Sequence, residues 1–118
     1  MIYVFLAEGF EEIEAIATID ILRRAELPVR TAAVGTQSRL VAGAHGIAVE
    51  ADCMESDVKT DDMDAIVLPG GMPGTLNLDH SETVRGFVEY CASNDKILAA
   101  ICAAPSVLGH AGDRKSVV

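Results

Sequence analysis

Residues 1–34 read MIYVFLAEGFEEIEAIATIDILRRAELPVRTAAV. Ile2 to Leu6 is an unbroken apolar run with β-branched and aromatic members, which suits a strand buried on both faces better than an alternating, half-wet one. From about Glu11 to Ala25 the residues Ile13, Ile16, Ala17, Ile21 and Leu22 recur at helical spacing. Acids fill the opening turn of that helix, where the positive end of the dipole favours them. Pro28 resets the chain, and Val29 to Val34 forms a second short strand. Strand, helix and strand within one such span make a β-α-β unit, which predicts parallel pairing.

The rest of the chain continues the alternation. Gly35 to Glu50 carries Gly43 and Gly46 between short apolar stretches and predicts a hairpin excursion turning near Ala44 and His45. Ala51 to Asp64 is polar and acidic and reads as a surface segment. Ala65 to Leu68 is another fully buried strand, followed directly by the Gly-rich turn Pro69-Gly70-Gly71-Met72-Pro73-Gly74. Ser81 caps a helix whose residues Val84, Phe87, Val88 and Cys91 share one face. Ile97 to Ile101 is the next strand, and Ala104 to His110 a short helix with Pro105 in its first turn, where a missing N–H costs little. The expected architecture is α/β, a doubly wound or Rossmann-like parallel sheet.

Composition narrows the functional classes. The 118 residues hold nine Lys plus Arg against eighteen Asp plus Glu, a formal charge of −9, and half are apolar, as expected for one acidic, soluble domain spanning residues 1–118. The longest apolar run is Ile97 to Ala104, far short of the roughly 20 residues that cross a bilayer. Glu8 interrupts the N-terminal run before it resembles a signal peptide. No membrane is expected as a partner, and the expected location is the cytoplasm. An acidic surface without clustered Lys or Arg argues against nucleic acid, because counterion release requires cationic side chains. Cys53, Cys91 and Cys102 lack the close spacings of zinc or redox sites, and free thiols are expected. No metal is expected: Asp57, Asp61, Asp62 and Asp64 lack the Gly and terminal Glu of a calcium loop and read as a solvated face. His45, His80 and His110 have no ligand spacing and are assigned structural or solvent roles.

In a parallel sheet every strand's carboxyl end faces one rim, and ligands bind there. Three segments share it: Gly9 to Glu14, Gly70 to Gly74, and Cys102. Cys102 sits in Ala100-Ile101-Cys102-Ala103-Ala104-Pro105, a strand-to-helix turn with small residues two places either side of the sulfur, like the G-x-S-x-G nucleophile elbow. A helix N-terminus also favours the reactive thiolate. By spacing alone, Cys102 reads equally as a nucleophile or as a core cysteine. Gly70 and Gly71 offer backbone N–H groups for an oxyanion hole or a carboxylate nest, although paired glycines are also an ordinary tight turn. Glu14, with Thr18, Ile21 and Ala25 along one side of the helix, borders the sheet-facing stripe, where a carboxylate must be protonated or paired. Glu11 and Glu12 read as solvated first-turn acids, and Cys53 and Cys91 as packing or peripheral thiols.

The elements Gly9-Phe10-Glu11-Glu12-Ile13-Glu14-Ala15, Val67-Leu68-Pro69-Gly70-Gly71 and Ala99-Ala100-Ile101-Cys102-Ala103-Ala104-Pro105 occur in one chain in this order. Together they resemble the ThiJ/PfpI superfamily, in its Parkinsonism-associated deglycase branch. The resemblance spans nearly the whole chain and implies a flavodoxin-like three-layer sandwich, related to class I glutamine amidotransferases and usually dimeric. It implies that Cys102 is a nucleophilic, easily oxidised elbow cysteine, and that Glu14, protonated, hydrogen-bonds its sulfur. Gly71 and Ala103 would supply backbone donors. The implied activity is that of a glyoxalase or deglycase acting on methylglyoxal-type 2-oxoaldehydes or early glycation adducts, without a cofactor. An oxidative-stress sensor or redox chaperone working through Cys102, or an inactive truncated member, are the alternatives. Family members continue beyond the elbow helix to a strand that presents a histidine near the cysteine. No histidine here takes that position, so the expectation is an incomplete domain lacking the family's C-terminal portion. Apolar surface left on the first helix would then need a partner.

Overall fold

A computed structural model describes residues 1–110. Residues 111–118, where the sequence reading places the beginning of a further strand, lie outside the described residues. Among the described residues, seven strands and four α-helices follow in the order β1 (Ile2–Ala7), α1 (Glu12–Arg24), β2 (Val29–Val34), β3 (Leu40–Ala42), β4 (Ala48–Glu50), β5 (Cys53–Met54), β6 (Ala65–Leu68), α2 (Gly74–Asp79), α3 (Glu82–Ser93), β7 (Ile97–Ala100) and α4 (Pro105–His110). The main sheet is parallel throughout, in the order β5-β2-β1-β6-β7. Leaving aside the two-residue edge strand β5, this is the flavodoxin-like arrangement, with helices on both faces. The chain adds strands to one side of β1, then returns to add β6 and β7 on the other. The switch point therefore lies between the carboxyl ends of β1 and β6, where such sheets open a crevice.

Because β1 alternates sides, it feeds two separate cores. Tyr3, Phe5 and Ala7 join Leu78 of α2, Val84, Val88 and Cys91 of α3, and Val107 and Leu108 of α4. Phe5 stacks on Phe87 with ring centroids 5.7 Å apart. Val4 and Leu6 point the other way, onto Phe10, Ala15 and Ile19 of the α1 segment and onto Val41 of the β3–β4 hairpin. Ser81 caps α3 as expected, its hydroxyl accepting from Val84 N–H. Among the described residues, no helix is long and apolar enough to cross a membrane.

Three expectations are corrected. The buried stripe of α1 is Glu12, Ala15 and Ile19. Ile13 is 75% and Ile21 64% exposed, and Ile16 is also exposed, so the apolar periodicity marked the outer side. Glu14 and Thr18 are half-buried, whereas Ile21 and Ala25 are exposed, so these four do not border one buried stripe. The segment from Ala51 to Asp64 is not only surface: Cys53 and Met54 pair in parallel with Ala32 and Ala33 of β2. The Gly-rich turn also leads directly into α2, a helix the sequence reading did not separate from the turn. The acids Asp57, Asp61, Asp62 and Asp64 are exposed as expected, and Asp62 accepts a hydrogen bond from Tyr3 OH at 2.7 Å.

Candidate active site

The three rim segments meet. The backbone N–H of Glu11 donates to Gly70 O at 2.9 Å, and that of Gly74 to Gly9 O at 3.1 Å, which splices the loop after β1 to the loop after β6. Gly71 is at φ +100°, and a Cβ there would lie 2.8 Å from Gly9 O and 2.9 Å from Phe10 C, with Glu11 N closer still. Only glycine allows the two loops to pass this closely. A Cβ on Gly70 would fall 2.6 Å from Glu14 Oε1, 2.7 Å from Ile101 O and 3.0 Å from Cys102 Cβ. Glu14 and Cys102 thus both come within 3.0 Å of the one point that a Gly70 side chain would occupy.

Cys102 follows β7 and precedes α4 with φ +56°, a left-handed conformation that is sterically costly for a residue with a side chain. The thiol is exposed, whereas Cys53 and Cys91 are buried. Burial pushes the Cys91 thiol up to about 11 and raises that of Cys53, which suppresses their thiolates. The strained turn therefore presents one accessible thiol at the rim, as a nucleophile elbow does. Glu14 Oε1 accepts from Gly70 N–H at 2.9 Å. That amide is therefore engaged with Glu14, and among the described residues the hydrogen bond to Glu14 comes from Gly70 and not from the sulfur. The N–H groups of Gly71 and Ala103 donate no hydrogen bond among the described residues.

Glu12 is where the expectation of a solvated acid fails. It is 4% exposed, and its Oε2 accepts from the backbone N–H of His45 at 2.7 Å and of Ile47 at 3.2 Å. Its Oε1 meets His45 Nδ1 at 2.9 Å. Glu11, also expected to be solvated, is half-buried and is the N-cap of α1, accepting from Glu14 N–H. Burial by itself would raise the Glu12 carboxyl, but the hydrogen bonds from His45 and Ile47 outweigh it and bring the group to about 2. Its partner His45 is raised, chiefly by Glu12. The Glu12 contribution to stability is complete above its ordinary value of 4.5 and is lost as pH falls through about 2. The His45 contribution is complete below its ordinary 6.5 and is lost as pH rises through its higher folded value. Thermal melts are expected to show a broad maximum between these ordinary values, flattened in Glu12→Ala. An unchanged pH dependence of Tm in that variant would show that the pair contributes nothing.

The other histidines have surroundings of their own. His110 Nδ1 lies 2.9 Å from Asp79 Oδ2, tying the end of α4 to α2, so it is not unpartnered. His80 lines an open cleft of about 490 Å³ together with Glu8, Gly35, Glu55 and Asn77, and Cys102 is not among its walls. Glu11, Glu12 and His45 bring one ligand atom each within 4.8 Å of one another, but both Glu12 oxygens are already taken by hairpin donors. Sequence reasoning missed the role of Glu12 because a first-turn acid looks the same in sequence whether water or a remote hairpin faces it. The one available signal was Gly43, where a Cβ would come 2.5 Å from Glu12 Cδ.

Comparison with known proteins gives a consistent picture. The model described as the DJ-1/PfpI family matches residues 1–116. The chain is similar to Protein DJ-1 homolog A of Arabidopsis thaliana, 40% identical over 102 residues that cover 86% of this chain and 26% of that protein. It is also similar to Protein dj-1beta of Drosophila melanogaster, 36% identical over 109 residues, covering 92% of this chain and 58% of that one. Among solved structures, Toxoplasma gondii DJ-1 in an oxidized form superposes with a TM-score of 0.90 at 38% identity, covering 94% of this chain and 60% of that chain. Across six curated relatives, these two among them, the matched stretch spans between 24% and 65% of the relative's length.

Proposed function

Because the chain belongs to the DJ-1/PfpI family, we propose that it carries the site of a cysteine-dependent glyoxalase or deglycase, acting without a cofactor on methylglyoxal-type 2-oxoaldehydes or early glycation adducts. The observation that carries this reading is the exposed Cys102 held at φ +56°, with both it and Glu14 beside Gly70. The Cys102 thiolate adds to the aldehyde carbon of methylglyoxal, and the carbonyl oxygen takes up a proton to give a hemithioacetal. Glu14 then removes the proton from that carbon as the ketone oxygen is protonated, giving an enediol, and return of the proton to the neighbouring carbon with loss of the first hydroxyl's proton gives a lactoyl thioester. Water cleaves the thioester, releasing lactate and the thiol, so that methylglyoxal plus water gives lactic acid. In this reading the amides of Gly71 and Ala103, which donate no hydrogen bond among the described residues, receive the developing oxyanion.

At neutral pH, Cys102 in the folded chain is expected to alkylate several-fold faster than the same thiol in guanidinium. Cys102→Ala is the blank. Equal rates in the folded and unfolded chains would mean that the turn does not activate the sulfur.

A second use of the same thiol is supported by its exposure and by the oxidized state of the Toxoplasma gondii relative. In that reading Cys102 is a stress sensor that peroxide converts to a sulfinate held by Glu14 and the free amides. Mild peroxide should then oxidise Cys102 selectively, and mass spectrometry showing equal oxidation of all three cysteines would sink it. Both readings place the chain in the cytoplasm as part of a homodimer. The exposed Ile13, Ile16 and Ile21 of α1, with Ile47 of the hairpin, offer apolar surface for a second copy.

A further inference from the structure

Glu12 is a buried carboxylate that the chemistry proposed for Cys102 leaves unused. The hydrogen bonds it receives from His45 and Ile47 come from the tip of the β3–β4 hairpin, and Gly43 packs against it with no room for a Cβ. The hairpin also grips the segment before α1 through its backbone. Gly9 N–H donates to Ala42 O at 2.8 Å, and Ala44 N–H to Phe10 O at 2.8 Å, and Phe10 pairs with Gly43. The opposite side of that short segment carries the frame of the Cys102 site: Glu11 N–H on Gly70 O, Gly74 N–H on Gly9 O, and Gly71 wedged beneath Glu11. Gly9 to Glu14 is therefore held between the hairpin and the Gly70–Gly74 turn.

We propose that Glu12 is a positioning residue for the Cys102 site, and that its ion pair with His45 clamps the hairpin onto residues 9–14 so that Glu14 and Gly70 keep their places beside Cys102. This rests on the reading of Cys102 given above. The clamp weakens when His45 loses its proton, because the neutral ring no longer supplies a full charge to the buried carboxylate. The other charged groups near the pair are Glu11 at the N-cap and Asp20, which lines the same open surface as Glu12 and Ile47. Glu11 favours the charged ring, in the same direction as Glu12.

The carboxylate meets only donors, so the variant Glu12→Gln is informative. To keep the two backbone N–H groups satisfied, its amide oxygen takes the place of Oε2 and its NH2 faces His45 Nδ1. The ring must then present a lone pair there and stay neutral. This variant keeps the hairpin docked while removing its dependence on the His45 proton, whereas Glu12→Ala removes the docking as well. The experiment is the rate of Cys102 alkylation by iodoacetamide from pH 5 to 10 in the full chain, for wild type, Glu12→Gln, Glu12→Ala and His45→Gln, with thermal melts as the check on folding.

The wild-type profile is expected to carry, besides the ionisation of the thiol, an inflection at the His45 titration, across which the rate changes several-fold. Glu12→Gln and His45→Gln should lose that inflection while melting close to wild type. Folded Glu12→Gln and His45→Gln variants whose profiles superpose on wild type would overturn the proposal. A His45 imidazole that titrates by NMR identically in wild type and Glu12→Gln would overturn it as well. Failure of the Cys102 reading shows up separately, as absence of methylglyoxal turnover in wild type, whereas the difference between the alkylation profiles reports on the clamp whatever the turnover.

Discussion

Cys102→Ala is expected to bring methylglyoxal turnover to the rate of buffer alone, a loss in kcat/KM on the order of 10³-fold or more, as for removal of a covalent nucleophile. The size of the effect follows from the absence of a substitute. Cys53 and Cys91 are buried, and burial raises both thiols, so neither can supply a thiolate at the rim. Cys53→Ala and Cys91→Ala are therefore expected to leave turnover unchanged in any protein that still folds. The alanine variant also removes the sulfur without disturbing the fold, because Cys102 is exposed and the conformation at φ +56° is set by the turn. Turnover retained in Cys102→Ala would end the enzymatic reading, whatever the fate of the redox one.

Gly71→Ala is expected to be among the most damaging single changes to the fold, costing about 3 kcal/mol or more and lowering Tm by more than ~10 °C. Two penalties add. The residue sits at φ +100°, where a Cβ is strained in any surroundings. The added methyl would also run into Glu11 N, Gly9 O and Phe10 C, backbone atoms that cannot rotate away. Gly46→Ala separates the two penalties: Gly46 is at φ +82° with nothing within 4 Å of the added carbon, so it carries the strain alone, at about 1 kcal/mol. Gly43→Ala is intermediate, because its methyl meets the Glu12 side chain and not backbone. Equal Tm losses for Gly71→Ala and Gly46→Ala would show that the two rim loops are not packed as tightly as the structure places them.

The strands that build the site were legible because strands of a parallel sheet are buried on both faces and so need continuous apolar runs. Ile2 to Leu6, Val29 to Val34, Ala65 to Leu68 and the run from Ile97 each became a strand of the main sheet. The turns were legible because glycine marks left-handed or crowded backbone, as at Gly71 and Gly46. Other features were not. In α2, Leu76 and Asn77 face water while Thr75 and Leu78 are buried, and six residues are too few for a 3.6-residue period to emerge. β5 is two residues long and exists only because β2 offers an edge to pair with. On α1 the isoleucines gave a clear helical period, but periodicity cannot say which side of a helix meets the sheet when small residues such as Ala15 allow the closer approach.

The sequence by itself pointed to the parallel sheet, to the rim on which chemistry would collect and to Cys102, Gly70 and Gly71 as its candidates, whereas Glu14 was reached through the family resemblance and an expected sheet-facing stripe that α1 does not have. The former depend on apolar runs, on small residues flanking a sulfur and on the rule that strand ends share one edge, all of which are local or topological. Only the tertiary structure decided that Glu12 is buried while Ile13 is exposed, that Gly70 spends its amide on Glu14, and that His45 stands against α1. The donors that reach Glu12 lie 33 and 35 residues further along the chain. The ionisation and burial of a carboxylate follow from what surrounds it in space, and nothing in its own stretch of sequence fixes that.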